Sequence, residues 1–208
     1  VARNTAPALT LAALWILEHT NNDPIILAMP ADGIGDSKSF QQAMSLGAEF
    51  ARKGNLVTFG SVPTSPETGY GYIKTGKGLK NGLGMAHNID EFVEKPNLET
   101  ATKYIESGKY LWNSGVFMMR ASVWLSELEH HSPTIAKTVR SSQASIQRDG
   151  HFYYPEVASF SACPTDSIDY AVMEKGTKKP KSASSEAEYV VLNLQTEWTD
   201  IGSWSSLW

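Results

Sequence analysis

A single cysteine, Cys163, is all the thiol chemistry available to this chain of 208 residues. No intrachain disulfide can form. With no signal-peptide pattern at the start, that suits a reducing compartment, and the expected location is cytoplasmic. A lone cysteine here reads as a buried, structural thiol rather than a nucleophile. No apolar run reaches the length of a membrane span. An excess of basic residues is missing too. The 18 Lys and Arg stand against 22 Asp and Glu, a formal net charge of −4, which excludes a broad nucleic-acid footprint. The one basic cluster, Lys175, Lys178, Lys179 and Lys181, is interleaved with Gly, Pro and Ser and reads as a solvated loop. The five histidines show no metal-ligand spacing, and His130-His131 fits a helix end, where a cation complements the dipole. No Ser–His–Asp order or nucleophile elbow occurs. There is no internal repeat, and no biased tract beyond Lys178 to Ser185. The chain begins Val1-Ala2-Arg3 without Met, so a fragment or a processed form is expected.

The composition that remains, 41% apolar and 19% charged, is that of an ordinary soluble globular protein. Pro7 to His19 carries apolar residues at helical spacing, with Asn4 or Thr5 as cap. Pro24 to Met29 is a short, wholly apolar run, as in a buried parallel strand. Pro30-Ala31-Asp32-Gly33 follows as a loop at its C-terminal end. Asp36 to Lys53 is helical, capped by Asp36 or Ser37 and stopped at Gly54. Asn55 to Gly60 is the next strand. This alternation predicts an α/β fold with a mainly parallel sheet, in which ligands sit beyond the carboxyl ends of strands.

Thr75 to Asn88 is rich in Gly and Lys, lacks apolar periodicity, and reads as a mobile hairpin or loop. Further on, the pattern predicts a strand over Ile89 to Glu94, a helix over Leu98 to Ser107, and a strand over Tyr110 to Arg120 interrupted at Asn113-Ser114-Gly115. Helices follow at Ala121 to His130, at Pro133 to Gln147 (surface-facing), and from a Ser167 cap to Lys175. A last strand is expected over Glu188 to Leu194. No domain boundary is visible, so the chain is treated as one compact unit.

Several polar residues sit where chemistry is feasible. Asp32 and Asp200 each have an ordinary reading as turn aspartates. Brought together at neighbouring strand ends, they would instead make a hard-oxygen site for Mg²⁺, with phosphate and water oxygens completing the octahedron. Lys95 is either an exposed edge charge or a point charge on a phosphate. Glu94 beside it would accept hydrogen bonds from sugar hydroxyls. Asn113 marks a bulge, or an amide facing hydroxyls with Gly115 permitting close approach. Glu67 to Tyr72 reads as a turn entering an edge strand, or as a place where Gly69 and Gly71 expose backbone amides to a sugar or ribose.

In chain order, Arg3-Asn4-Thr5-Ala6-Pro7, Pro30-Ala31-Asp32, Pro66 to Ile73, Phe92-Val93-Glu94-Lys95-Pro96, Asn113-Ser114-Gly115, Ser167 to Glu174 and Trp198 to Trp204 resemble the motifs of bacterial mannose-1-phosphate guanylyltransferases. The resemblance spans nearly the whole chain, and the set is more specific than any one motif. It implies a Rossmann-like nucleotidyltransferase fold with a mixed, mainly parallel sheet, and a reaction of GTP with mannose 1-phosphate giving GDP-mannose and pyrophosphate. Carried over, Asp32 and Asp200 resemble the Mg²⁺ ligands and Lys95 the contact to the sugar phosphate. Glu67, Gly71, Glu94 and Asn113 resemble the sugar site, and Arg3, Asn4 and Thr5 part of the nucleotide pocket. Asp169 resembles sugar-side structure. Many members of the family are fused to a phosphomannose isomerase domain, so such a domain or partner is expected, and self-association is compatible with it. The family's glycine-rich phosphate loop and first strand are expected to lie before Val1. Gly33 stands where the family usually has histidine. Glucose-1-phosphate nucleotidyltransferases and a catalytically silent sugar-nucleotide module are the alternatives.

Overall fold

The computed structural model describes residues 1–34, 36–81, 84–178, 187–194 and 199–200, with Gly33, Ile34, Asn81, Gly84, Thr199 and Asp200 described by backbone alone. In chain order it contains α1 (Thr5–His19), β1 (Ile25–Ala28), β2 (Gly33–Ile34), α2 (Ser37–Arg52), β3 (Leu56–Ser61), β4 (Gly71–Asn81), β5 (Gly84–Glu94), α3 (Leu98–Ser107) and β6 (Tyr110–Arg120). Then come α4 (Ala121–His131), α5 (Pro133–Gln143), β7 (Gln147–Asp149), β8 (Phe152–Tyr154) and α6 (Val157–Ser161). A π-helical turn (Asp169–Met173) runs into α7 (Glu174–Lys178), followed by β9 (Tyr189–Asn193) and β10 (Thr199–Asp200). Where the sequence shows no boundary, the chain forms two compact units: Val1–Ile26 with Arg120–Ala187, and Leu27–Met119 with Glu188–Trp208.

The second unit is built on a six-stranded sheet in the order β1-β6-β3-β9-β5-β4. The class is mixed α/β. Parallel pairing lies at the centre, where β3 runs alongside β9. The ladders β3–β6, β4–β5, β4–β6 and β5–β9 are antiparallel. Because β6 also pairs with β4, the strands β6-β3-β9-β5-β4 close into a ring. β3 is buried along its whole length, as its apolar run Leu56 to Phe59 requires. α2 covers it through Leu46, Gly47, Phe50 and Ala51. That helix starts where the Asp36 carboxylate accepts the Ser39 N–H at 2.8 Å, a contact that also holds the Asp36 carboxyl below its usual range.

Two features of this unit decide between alternatives that the sequence left open. The Gly- and Lys-rich segment is a laddered hairpin of two 11-residue strands, β4 and β5, with register shifts at Lys74/Thr75 and Thr75/Gly78. Of the two readings, hairpin or loop, it is the hairpin, held by cross-strand pairing rather than by an apolar face. The interruption in β6 is a bulge: Thr58 pairs with Phe117, but Gly60 pairs with Asn113. Ser114, Gly115 and Val116 thus face one residue of β3. The Ser114 hydroxyl repairs the gap, donating to Phe59 O at 2.7 Å and accepting from Val116 N at 3.3 Å.

In the first unit, α1, α4 and α5 pack together around Ala6, Leu9, Ala13, Trp124, Leu128, Ile135 and Val139. The Trp124 indole N–H donates to Thr10 Oγ1 at 3.0 Å. α5 stops at Gln143, short of the expected Gln147, because the chain turns into the β7–β8 hairpin. The helix after Ser167 opens with a π turn, in which Glu174 N–H reaches Asp169 O. Ser132 Oγ serves the carbonyl of Ala171 at 2.9 Å. Lys175 and Lys178 are exposed, as expected, but lie on α7 rather than in a loop; Lys175 Nζ donates to Ser132 Oγ at 2.9 Å and to His131 O at 3.4 Å, where α4 ends. Lys179 and Lys181 lie outside the described residues. His131 does stand at a helix end, with Nε2 3.5 Å from the buried Glu127 carboxylate. Cys163 is buried, and burial raises its thiol pKa, which suits the inert role.

Candidate active site

The bulge in β6, the start of β4 and the end of β5 bring three of the expected residues together. Gly71 pairs with Glu94 across the hairpin, and Asn113 lies beside both. A Cβ on Gly71 would overlap Glu94 Oε2 and stand 3.1 Å from Asn113 Cβ. The missing side chain is therefore what lets a carboxylate and a carboxamide meet over this point of the sheet. Glu94 is largely buried and Lys95 more than half exposed, their charges 3.8 Å apart.

Lys95 has φ 51°, in the left-handed region. Its N–H is tied to Tyr70 O at 3.2 Å. Such backbone strain in a non-glycine residue is concentrated at functional positions. Tyr70 stands edge-on to Trp112, the residue before Asn113, at 5.2 Å. Asn113 Oδ1 accepts from Gly115 N at 3.2 Å and from Thr58 Oγ1 at 3.3 Å. Gly115, at φ 70°, makes the turn that aims its N–H there.

Glu67 stands apart from this cluster, on the exposed turn before β4. Its carboxylate accepts from Ser65 Oγ at 2.8 Å and its carbonyl from Tyr72 Oη at 2.9 Å. Behind the cluster, Tyr104 and Tyr110 stack at 3.9 Å, and the Tyr110 hydroxyl donates to Glu91 at 2.9 Å. Burial, then the Glu91 carboxylate, drives the Tyr110 pKa upward.

Asp32 is exposed in the turn after β1. β2 and β10 form a two-residue antiparallel ladder with Asp200 opposite Gly33, so the two acids are neighbours along the backbone. The side chain of Asp200, and the rest of the closing run, lie outside the described residues. Among the described residues, no three His, Cys, Asp or Glu side chains gather as a metal site. A pair of carboxylates completed by phosphate and water oxygens needs no third protein ligand.

Arg3, Asn4 and Thr5 lie in the first unit, and their side chains bond residues of that same unit. Arg3 donates to Ser161 O and, at 3.4 Å, to Thr165 Oγ1. Asn4, at φ 67°, accepts from Thr5 N at 2.8 Å, and Thr5 Oγ1 accepts from Ile168 N at 3.0 Å.

Sequence reasoning passed over Thr58. A polar residue inside the buried run Leu56-Val57-Thr58-Phe59 was the available signal. It also passed over a pocket of about 290 Å³ in the second unit, bordered by Val62, Thr75, His87, Tyr110 and Asn193, which contains none of the expected site residues.

The mixed α/β sheet thus carries a polar cluster at the bulge of β6, and the backbone of Asp200 pairs with Gly33, next to Asp32. The chain belongs to the nucleotidyl transferase family, whose profile matches residues 1–208. It is 46% identical, over its whole length, to mannose-1-phosphate guanylyltransferase of Salmonella typhimurium, of which it covers 41%. Among solved structures it is similar to one described as mannose-1-phosphate geranyltransferase from Thermus thermophilus, with TM-score 0.80 and 30% identity, covering all of this chain and 55% of that one. It is also similar to one described as mannose-6-phosphate isomerase from Helicobacter pylori, with TM-score 0.79 and 29% identity, covering 96% and 72%. The chain thus spans about two fifths of the length of the curated relative it matches. Among the described residues no helix is long and apolar enough to cross a membrane.

Proposed function

We propose that the protein carrying this chain transfers GMP from GTP to mannose 1-phosphate, forming GDP-mannose and pyrophosphate. The observation that carries this reading is the Gly71–Glu94–Asn113 cluster with Lys95 beside it, in a chain 46% identical to a mannose-1-phosphate guanylyltransferase.

In this reading a phosphate oxygen of mannose 1-phosphate attacks the α-phosphorus of GTP. The bond from that phosphorus to the α–β bridging oxygen breaks, and pyrophosphate leaves with the electron pair. The sugar phosphate has a second pKa of about 6 and is mostly dianionic at neutral pH, so no general base is required. The difficulty is bringing two anions together. Lys95, exposed at the end of β5, would neutralise the incoming phosphate. Glu94 and Asn113 would orient the sugar by its hydroxyls, leaving the phosphate in line with the leaving group.

Asp32 and Asp200 would hold Mg²⁺; their hard oxygens on neighbouring backbone positions suit that ion, which when bound neutralises charge developing on the phosphates. Arg3, Asn4 and Thr5 enter as supports of the nucleotide side, acting through the backbone they fix. A phosphomannose isomerase domain elsewhere in the same polypeptide would fit both the resemblance and the unmatched length of the relatives.

The test is pyrophosphate release by the natural full-length polypeptide given GTP, mannose 1-phosphate and Mg²⁺. Equimolar pyrophosphate and GDP-mannose are expected. Tight binding of both substrates without release would mean a silent binding module. Faster release with glucose 1-phosphate would move the assignment to that sugar.

A further inference from the structure

We propose that one mouth of the ring of strands is a second ligand site, built for a neutral heteroaromatic ring of nucleobase size. The inference does not depend on the sugar reading above.

The pocket of about 290 Å³ in the second unit draws its lining from all around that ring. Thr75 comes from β4, His87 from β5, Tyr110 from β6 and Asn193 from β9, and Val62 directly follows β3. The mouth of such a ring is a recurrent place for a ligand cavity. None of Gly71, Glu94, Lys95 or Asn113 borders it, so it is separate from the sugar cluster.

Strand register fixes how the polar residues stand. His87 pairs with Val191 across β5 and β9, and Asn193 lies two residues beyond Val191. Side chains two apart share a face of a strand, so His87 and Asn193 stand on one face, as diagonal neighbours about 7–8 Å apart. Opposite His87 in the hairpin is Gly78, which has no side chain to cover the imidazole. Among the described residues, neither the His87 ring nor the Asn193 carboxamide has a hydrogen-bond partner. A neutral imidazole and a carboxamide each offer a donor and an acceptor. The hydroxyl protons nearby are already placed: Thr75 Oγ1 donates to Lys109 O at 3.1 Å, and Tyr110 Oη to Glu91 at 2.9 Å.

The class of ligand follows from the rest of the lining. Among the described residues no Lys, Arg, Asp or Glu borders the pocket. A phosphate or carboxylate therefore gains no counter-charge there, and an ammonium gains no acid. Val62, Pro63, Ile105 and Leu111 form an apolar wall. A sugar carries hydroxyls round its whole rim and would bury several of them against that wall without partners. A flat heteroaromatic ring keeps its polar atoms on its edge, where His87 and Asn193 meet them, and turns apolar faces to the wall. Tyr104 stacks on one face of the Tyr110 ring at 3.9 Å, and the remainder of that ring gives the lining an aromatic surface. The volume lies just below that of pockets for drug-sized molecules, about 300–1,000 Å³, which limits the occupant to one ring system.

The test is titration of the natural full-length polypeptide with hypoxanthine, a neutral fused ring with a lactam edge and neither sugar nor phosphate. It is followed through the side-chain resonances of His87 and Asn193. Both should shift saturably, with Kd on the order of 1 mM or tighter, the reach of about ten heavy atoms at ordinary ligand efficiency. Methyl mannoside and inorganic phosphate should leave them unmoved at the same concentrations. His87→Phe keeps a ring without its nitrogens, and Asn193→Leu keeps a similar shape without the amide. Each should raise Kd about 10-fold, as the loss of one hydrogen bond implies, with the melting temperature within a few degrees. Asn193 is exposed, so its variant decides the matter where His87→Phe does not fold. Resonances unmoved by hypoxanthine, or an unchanged Kd in folded Asn193→Leu, would overturn the inference. Saturable shifts with methyl mannoside or phosphate would overturn the class of ligand.

Discussion

Two polar segments of this chain looked alike in sequence and differ in what their side chains do. Arg3-Asn4-Thr5 and the pair Glu94 and Asn113 both lie in runs that resemble motifs of mannose-1-phosphate guanylyltransferases. In the first, every described side-chain bond runs to the unit's own fabric: Arg3 to Ser161 and Thr165, Asn4 to Thr5, Thr5 to Ile168. In the second, a carboxylate and an amide meet over a glycine that has no side chain to separate them. A motif thus mixes residues that shape a site with residues that face it. Asn113 also bonds backbone, at Gly115 N, so the difference lies in whether side chains from separate strands also meet across a glycine.

Four substitutions or conditions press on that contrast. The largest effect is expected at the metal loop, where only the backbone of Asp200 is described, paired with Gly33. Asp200→Ala should lower kcat by about 10³-fold, on the scale of losing transition-state charge stabilisation. Its melting temperature should stay within a few degrees, and full turnover in that variant would remove Asp200 from the site. Gly71→Ala comes next. Its methyl would force Glu94 and Asn113 apart, so kcat/KM for the sugar phosphate should fall about 10²-fold, as expected when reacting groups are displaced by an ångström. An unchanged KM for the sugar phosphate would mean the cluster is not where the sugar binds.

Thr5→Val should behave in the opposite way. Losing the acceptor for Ile168 N costs about 1 kcal/mol of stability, read by urea unfolding, while KM for GTP moves less than about 3-fold. A large rise in KM for GTP with unchanged stability would turn the contrast around and make Thr5 a direct nucleotide contact.

The smallest effect is alkaline. Tyr110 keeps its proton in the folded state beyond its ordinary value of 10.0. Above about pH 10 the unfolded chain loses this proton and the folded one holds it, so stability present below that pH declines as pH rises. Tyr110→Phe should flatten the decline, measured as melting temperature between about pH 9 and 11.

Much of the fold was legible because local chemistry and burial agreed. The expected strand Tyr110 to Arg120 and helix Leu98 to Ser107 match the observed elements end to end. The apolar run at Pro24 to Met29 and the cap at Asp36 reported real elements for the same reason. The β4–β5 segment was legible only as a hairpin or loop, without its strand bounds, since its order comes from pairing between strands and its residues have little strand preference. The division into two units depends on contacts far apart in sequence, and no linker marks it. For the site, Gly71, Glu94 and Asn113 were readable as motif residues. Their meeting was not, because it depends on a bulge register that only the folded sheet defines. Thr58 was visible as a hydroxyl in an apolar run, but its partner lies 55 positions away.

The most direct measurement is a crystal structure of the full-length protein with GDP-mannose. The account predicts the mannose ring over Gly71, one hydroxyl or two adjacent ones bonded to Glu94 and Asn113, and the sugar-linked phosphate at Lys95. A sugar bound elsewhere, for instance in the pocket between His87 and Asn193, with Glu94 and Asn113 untouched, would contradict it.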